Sequence, residues 1–332
     1  MPRFLQKDES QKLRLVRHNE LNSFKRELHH WTDVPPISSY RINSFQHNPY
    51  SQSDDVVMVL AMAGGRYIGF FSMLPFPIRV NGFRRRCFWG SAFYIDPDWR
   101  RSEVALRIVQ KCCEVTSIFL GAGPTPAMVD LYCSSKIQGR RLGTLHYVSS
   151  QPVPFRLKIV EMRPEEFWHH LAASQHLETT FVRDVKVARW MHEYPWLTPT
   201  RKKDTDLFDD RFPFSVTRKL FAYRYFLVPR SGGADLMLSV LICVDRNGDN
   251  FIRILDVIGA PVYGKLFAEA CSAICQTTGS RRWESDDRNI VPDDSVFSQH
   301  ERSYFIKSTD EDYSAIVAEF QPSIADGEFC LV

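Results

Sequence analysis

Apolar residues in this chain fall into short runs punctuated by glycine, proline and asparagine, the pattern of strands joined by tight turns. Val56-Val57-Met58-Val59-Leu60-Ala61-Met62-Ala63 is stopped by Gly64-Gly65 and followed at once by Tyr67-Ile68-Gly69-Phe70-Phe71-Ser72-Met73, which predicts a hairpin. Another strand extends to Val80, a turn falls at Asn81-Gly82, and Arg86 to Ile95 forms a further strand ending at Asp96-Pro97. The period then changes. Ala105, Ile108, Val109, Cys112 and Thr116 recur at helical spacing with Arg107, Lys111 and Glu114 opposite, the mark of an amphipathic helix. A short strand at Ile118-Phe119-Leu120, a breaker at Gly121-Ala122-Gly123-Pro124, a helix from about Pro126 to Ile137 and a strand from Leu145 to Val148 follow. The order is three strands, helix, strand, helix, strand. What precedes, to about Asp55, reads as a polar lead-in with a helix around Glu20 to Trp31 and a loop carrying Pro35-Pro36.

Ser149-Ser150-Gln151-Pro152-Val153-Pro154 looks like a boundary, and a helix from Glu165 to His176 opens a second half that repeats the plan. Strands are expected from Leu220 to Val228, Leu236 to Val244 and Phe251 to Ile258, with a turn at Asn247-Gly248-Asp249. A helix follows with Phe267, Ala270, Cys271 and Ile274 on one face, then a short strand near Arg282 to Glu284, a polar helix after Pro292, and a closing strand from Tyr304 to Lys307. Only the order of elements repeats, so the halves read as an internal duplication without residue-level similarity. The expected domains are 1–150 and 151–332, each a mixed, mostly antiparallel sheet flanked by helices (α/β, α+β).

Composition narrows the class. The 332 residues exceed one ordinary core, and 44% apolar with 24% charged residues describe a soluble globular chain rather than a disordered or collagen-like one. The net charge of +3 hides an asymmetry: residues 1–150 hold 20 Lys/Arg against 12 Asp/Glu, and the remainder 22 against 27. An anion would be handled by the first half. The eight cysteines include no C-x-x-C pair and mostly lie in apolar segments, so free thiols packed as small hydrophobes in a reducing cytoplasm are expected. Met1 to Arg17 is charged and without a signal-peptide stretch, and no run of about 18 apolar residues occurs, so neither secretion nor a membrane partner is expected.

Phe93-Tyr94-Ile95-Asp96-Pro97-Asp98-Trp99-Arg100-Arg101, in this element order, resembles the fourth strand of the GNAT acyltransferase superfamily running through "P-x-x-R" into the pyrophosphate loop and third helix. Asp130-Leu131-Tyr132 with Lys136 and Leu142-Gly143 looks like that family's "l-Y-x-k-x-G" ending to helix four. The resemblance covers about 56–150 by motif and 219–308 by architecture. Tandem lobes of this length, with Trp190 to Trp196 and Asp326-Gly327-Glu328-Phe329, look like bacterial polysaccharide-locus acyltransferases.

The resemblance implies an N-acyltransferase taking its acyl group from acetyl-CoA or another acyl-CoA and passing it directly to an amine, since no covalent nucleophile is needed, and its polysaccharide-locus subgroup implies an amino sugar as the acceptor. Backbone groups of Phe93, Tyr94 and Ile95 would hold the pantetheine and carbonyl, and Arg100, Arg101, Ser102, Val104 and Ala105 the diphosphate at the helix N-terminus, where free amides and the dipole attract anions. Glu103 departs from R-x-x-G-x-G/A, placing a carboxylate where the family has glycine. Tyr132 would protonate the leaving thiolate. Asp96 and Asp98 cap the following turn as readily as they would act as a base, and the second half, with Ile258-Gly259-Ala260-Pro261 and no arginine at its phosphate turn, is a structural or acceptor-site partner.

A tandem lobe without the glycine loop also resembles aminoacyl-tRNA-dependent transferases or a non-catalytic scaffold; the tRNA reading requires a broad basic stripe, which Arg84-Arg85-Arg86 and Arg201-Lys202-Lys203 do not make. No metal is expected: Cys271 and Cys275 have no companions at zinc-site spacing, and His169-His170 with His176 does not form H-E-x-x-H. Neither a Walker loop nor a Rossmann fingerprint occurs.

Overall fold

The computed structural model describes residues 11–29, 34–80, 83–100, 102–122, 125–134, 139–149, 157–174, 184–196, 212, 218–230, 235–245, 248–259, 264–286 and 298–308. Its strands are β1 (Lys12–Arg17), β2 (Val56–Ala63), β3 (Arg66–Val80), β4 (Phe83–Ile95), β5 (Ile118–Ala122), β6 (Gly139–Ser149), β7 (Val160–Glu161), β8 (Arg218–Val228), β9 (Leu236–Asp245), β10 (Asn250–Ile258), β11 (Arg282–Asp286) and β12 (Ser298–Ser308). The helices are α1 (Leu21–His29), α2 (Ser39–Gln46), α3 (Val104–Glu114), α4 (Pro126–Ser134), α5 (Pro164–Ser174), α6 (Val185–Glu193) and α7 (Gly264–Thr278).

Among the described residues, twelve strands form one sheet in the order β1-β2-β3-β4-β5-β12-β6-β11-β10-β9-β8-β7. Neighbours pair antiparallel except β4 with β5 and β10 with β11, which are parallel and joined through α3 and α7. The expected mixed, mostly antiparallel sheets flanked by helices are therefore present, fused edge to edge. β12, from the end of the second half, lies between β5 and β6, and β6, from the end of the first, pairs with β11.

The lead-in is a working part of the fold. β1 forms an edge strand along β2, from Lys12 opposite Met62 to Arg17 opposite Val56. Ser38 caps α2 by accepting from the Arg41 amide at 3.3 Å. The expected Pro292 helix, the Asn81-Gly82 turn and the 150–154 boundary lie outside the described residues.

Alternation of side chains sorts the core onto two faces. On one, Phe71, Met73 and Phe88 pack with Ile108, Val109 and Cys112 of α3 and with Tyr132, and the equivalent cluster of the second half packs Val240, Ile242 and Ile252 on Phe267, Cys271 and Ile274 of α7. On the other, one cluster runs across both halves, from Phe24, Ile42 and Phe45 through Phe70 and Trp89 to Trp190, Ile306, Leu241 and Leu255. The cysteines described, Cys87, Cys112, Cys113, Cys243, Cys271 and Cys275, are free and buried in these cores. Among the described residues no helix is long and apolar enough to cross a membrane.

Candidate active site

The site is a fork in the sheet. β4 pairs with β5 at Phe88/Phe119, Trp89/Leu120 and Gly90/Gly121 and then leaves it, although β4 itself continues to Ile95. An extra residue marks the departure: Ser72 of β3 faces Ala92 while Met73 faces Gly90, so Ser91 is bulged out of the ladder. A bulge adds twist and bends its strand, which opens the edge of β4 toward β5. Two glycines face each other at the crotch, each in a crowded place. A Cβ on Gly90 would lie 2.7 Å from the Phe71 ring and 2.9 Å from that of Phe119, and one on Gly121 would lie 3.1 Å from the Tyr132 hydroxyl.

Beyond the fork, the side chains of Phe93 and Ile95 are committed to the α3 face: Phe93 meets Phe71 edge-on at 5.1 Å and Ile95 is buried beside Ile108. Tyr94 points the other way and stacks on Phe70 at 5.4 Å, its phenol raised by burial and by the charge of Asp96. The three side chains are thus packed on the two faces of the sheet. Asp96 caps the turn Pro97–Trp99, accepting from the Asp98 amide at 2.9 Å, and its other oxygen meets Arg66 at 3.1 Å. That capping duty accounts for Asp96.

The loop into α3 divides the predicted cradle. Arg100 is exposed, with Nε donating to the Ile95 carbonyl at 3.2 Å, which tethers the guanidinium to the end of β4. Ser102 is taken up by the turn, donating to Trp99 O at 2.6 Å and accepting from the Val104 amide at 3.3 Å. Val104 is buried, Ala105 half-buried, and Arg101 lies outside the described residues. Glu103 is the N-cap of α3, yet its exposed side chain caps none of the first-turn amides. Apart from the Val104 amide, which Ser102 takes, those donors lie at the positive end of the helix dipole.

Tyr132 arrives from α4, 2% exposed, stacked on Phe305 at 4.2 Å and edge-on to Phe119 at 6.1 Å. Its hydroxyl lies over Gly121, at the crotch. Burial pushes this phenol well above its usual pKa, and the nearby Cys112 and Cys113 add to the shift, so it stays protonated at neutral pH. Four contributors went unseen in the sequence. Phe305 comes from β12, across the chain. The hydroxyls of Ser72, 1% exposed, and of Ser91 are shielded from solvent at the bulge without a hydrogen-bond partner. Nothing short-range marks them; they matter only because a bulge places them together. Lys307 of β12 donates to Cys113 O at 2.7 Å and Thr116 O at 3.2 Å, closing the carbonyl end of α3.

No family model and no curated protein matches the sequence. Solved structures do match in shape. The crystal structure of a GCN5-related N-acetyltransferase from Anabaena variabilis superimposes with a TM-score of 0.52 at 12% identity, over 91% of this chain and 73% of that one. A GCN5-related N-acetyltransferase from Kribbella flavida gives 0.53 at 10% identity, over 94% of this chain and 74% of that one. The fold of this chain is that of the GCN5-related N-acetyltransferases.

Proposed function

We propose that the chain is an acyl-CoA-dependent N-acyltransferase whose active centre is the fork of the first half, residues 1–150, completed by β12, with the second half, 151–332, walling the acceptor side. The reading rests on one observation above all: β4 leaves β5 at the Gly90/Gly121 pair and runs on into the turn before α3, where Arg100 is exposed and the Glu103 side chain caps no amide. The residues fit such a co-substrate. Gly90 and Gly121 let the Phe71, Phe119 and Tyr132 rings close on the crotch, which brings the Tyr132 hydroxyl to it, and Glu103 stands in solvent rather than in the gap. Acyl-CoA supplies an activated thioester.

The chain's own groups do the rest. Arg100 and the first-turn amides hold the diphosphate through charge-assisted hydrogen bonds. Unpaired amides of Ser91 to Ile95 hold the pantetheine and polarise the thioester carbonyl from fixed positions. Ser72 and Ser91 receive the attacking amine, which approaches from the Tyr94 face. Tyr132 gives its proton to the departing sulfur and recovers one through solvent, to which the attacking amine releases its own. The acceptor is a small-molecule amine, and an amino sugar of surface polysaccharide is the class we favour.

Calorimetry with acetyl-CoA and longer acyl-CoAs tests the reading. Binding is expected, with Arg100→Ala weakening it about tenfold or more, the loss of one hydrogen bond to a charged group. A well-folded protein that binds none of these thioesters removes the proposal.

A further inference from the structure

β12 runs antiparallel to β5 with Tyr304 opposite Ala122, Phe305 opposite Gly121 and Ile306 opposite Leu120. Directly opposed residues of such a pair set their side chains on one face, with Cβ positions about 5 Å apart. The Phe305 ring therefore stands beside a strand position that carries no side chain. Tyr132 of α4 takes up that room: its ring lies on Phe305 at 4.2 Å and 15°, and its hydroxyl sits 3.1 Å from where a Cβ on Gly121 would be. Phe119, on the same face of β5, meets the Tyr132 ring edge-on at 6.1 Å and 60°.

Three consecutive residues dock β12 into three parts of the molecule. Phe305, 2% exposed, joins the core under α3 together with Tyr132. Ile306 turns to the opposite face and the core shared by both halves. Lys307 returns to the α3 side and donates to Cys113 O at 2.7 Å and Thr116 O at 3.2 Å. A slip of β12 by one residue would turn Phe305 away and present Ile306 to Tyr132; the two Lys307 bonds oppose that slip. A general acid must hold its oxygen within hydrogen-bond reach of the atom it protonates. Contact with the flat face of Phe305 fixes the plane of the Tyr132 ring, and Gly121 fixes how close to the strand its hydroxyl lies. Neither residue carries a group that moves a proton, so both act through Tyr132.

We propose that Phe305 and Gly121 are positioning residues for the Tyr132 hydroxyl, so that catalysis at the fork of the first half depends on the register of a strand supplied by the second. This inference rests on the acyltransferase reading, with Tyr132 as its acid.

The full chain is assayed with acetyl-CoA and a panel of primary amines headed by glucosamine, following release of the CoA thiol. Phe305→Leu, which keeps an apolar side chain but removes the flat face, should lower kcat about tenfold while KM for acetyl-CoA stays within about twofold. Gly121→Ala brings a methyl to 3.1 Å from the hydroxyl but only to 3.7 Å from the ring atoms, an ordinary contact, and should act in the same way. In Tyr132→Phe, where no hydroxyl is left to misplace, each substitution should cost less than about twofold. Equal losses in the two backgrounds, or losses that fall on KM alone, overturn this inference and leave the acyltransferase reading standing. A folded wild type that releases no thiol with any amine of the panel takes both down. Should Phe305→Leu fail to fold, Gly121→Ala in the two backgrounds decides alone.

Discussion

Glu103 has its carboxylate in solvent at the head of α3, at the place where a diphosphate would rest. Its charge repels that ligand across a water-exposed distance, so the penalty is modest and screened by salt. Glu103→Gly, a residue well tolerated at an N-cap, is expected to tighten acetyl-CoA about fivefold in dilute buffer, and calorimetry in high salt should find most of the gain gone. Tyr132 tests the other end of the fork. Tyr132→Phe keeps the ring against Phe305 and deletes only the hydroxyl over Gly121; turnover should fall about a hundredfold, the scale of a lost general acid, while near-UV circular dichroism stays unchanged. The sequence singles out Tyr132 by a short motif at the end of a helical pattern, and the structure puts its hydroxyl over Gly121. Gly90 and Gly121 were not legible, because their meaning is that they face one another across parallel strands, and a chain read in order holds no sign of that.

Among elements, the β10/β11 pair shows what the ladder adds to the residues. Register sets Arg253 directly opposite Glu284, which accepts from it at 2.6 Å and also bonds Arg282 on its own strand. Burial alone would raise the Glu284 carboxyl, but the two guanidinium groups outweigh it and hold the pKa down to about 2. A carboxylate depressed on folding contributes stability above its ordinary pKa and loses it as pH falls toward the folded value. For Glu284 that window runs from about 4.5 down to about 2 and is worth about 3 kcal/mol. Urea unfolding of Glu284→Gln should show a deficit of this order at pH 7 that shrinks toward pH 3; an equal deficit at both values would show that the carboxylate's charge is not the source. The long, strongly periodic elements, α3, α7 and the β2–β4 meander, were readable from spacing. β1 and α2 were not: β1 alternates over only Lys12–Arg17, and α2 depends on a Ser38 cap following two prolines that look like loop.

At the scale of the molecule, the halves are interlocked rather than adjacent. β12 fills the slot beside β5, Phe305 stacks on Tyr132, and Lys307 closes α3. Trp190 of α6 reaches back to donate to the Ser44 carbonyl at 2.7 Å, and the Tyr50 hydroxyl bonds Asp184. Chains of 1–156 and 157–332 made separately should therefore be aggregated or largely unfolded, each having a bare strand edge, and should recover one heat transition when refolded together. Two independent transitions, each well folded, would show that the exchanged strands are dispensable. The duplicated plan was visible in the order of elements; the exchange was not, since β6 and β12 read alike whichever neighbour they choose.

That crossing also constrains how the protein is born. β6 ends at Ser149 and its partner β12 begins only at Ser298, so the emerging nascent chain carries an unfilled gap beside β5 through most of the remaining translation. Among the described strands β12 is the last made and the one that seals the first fork, so until it emerges holding chaperones have an exposed groove to guard.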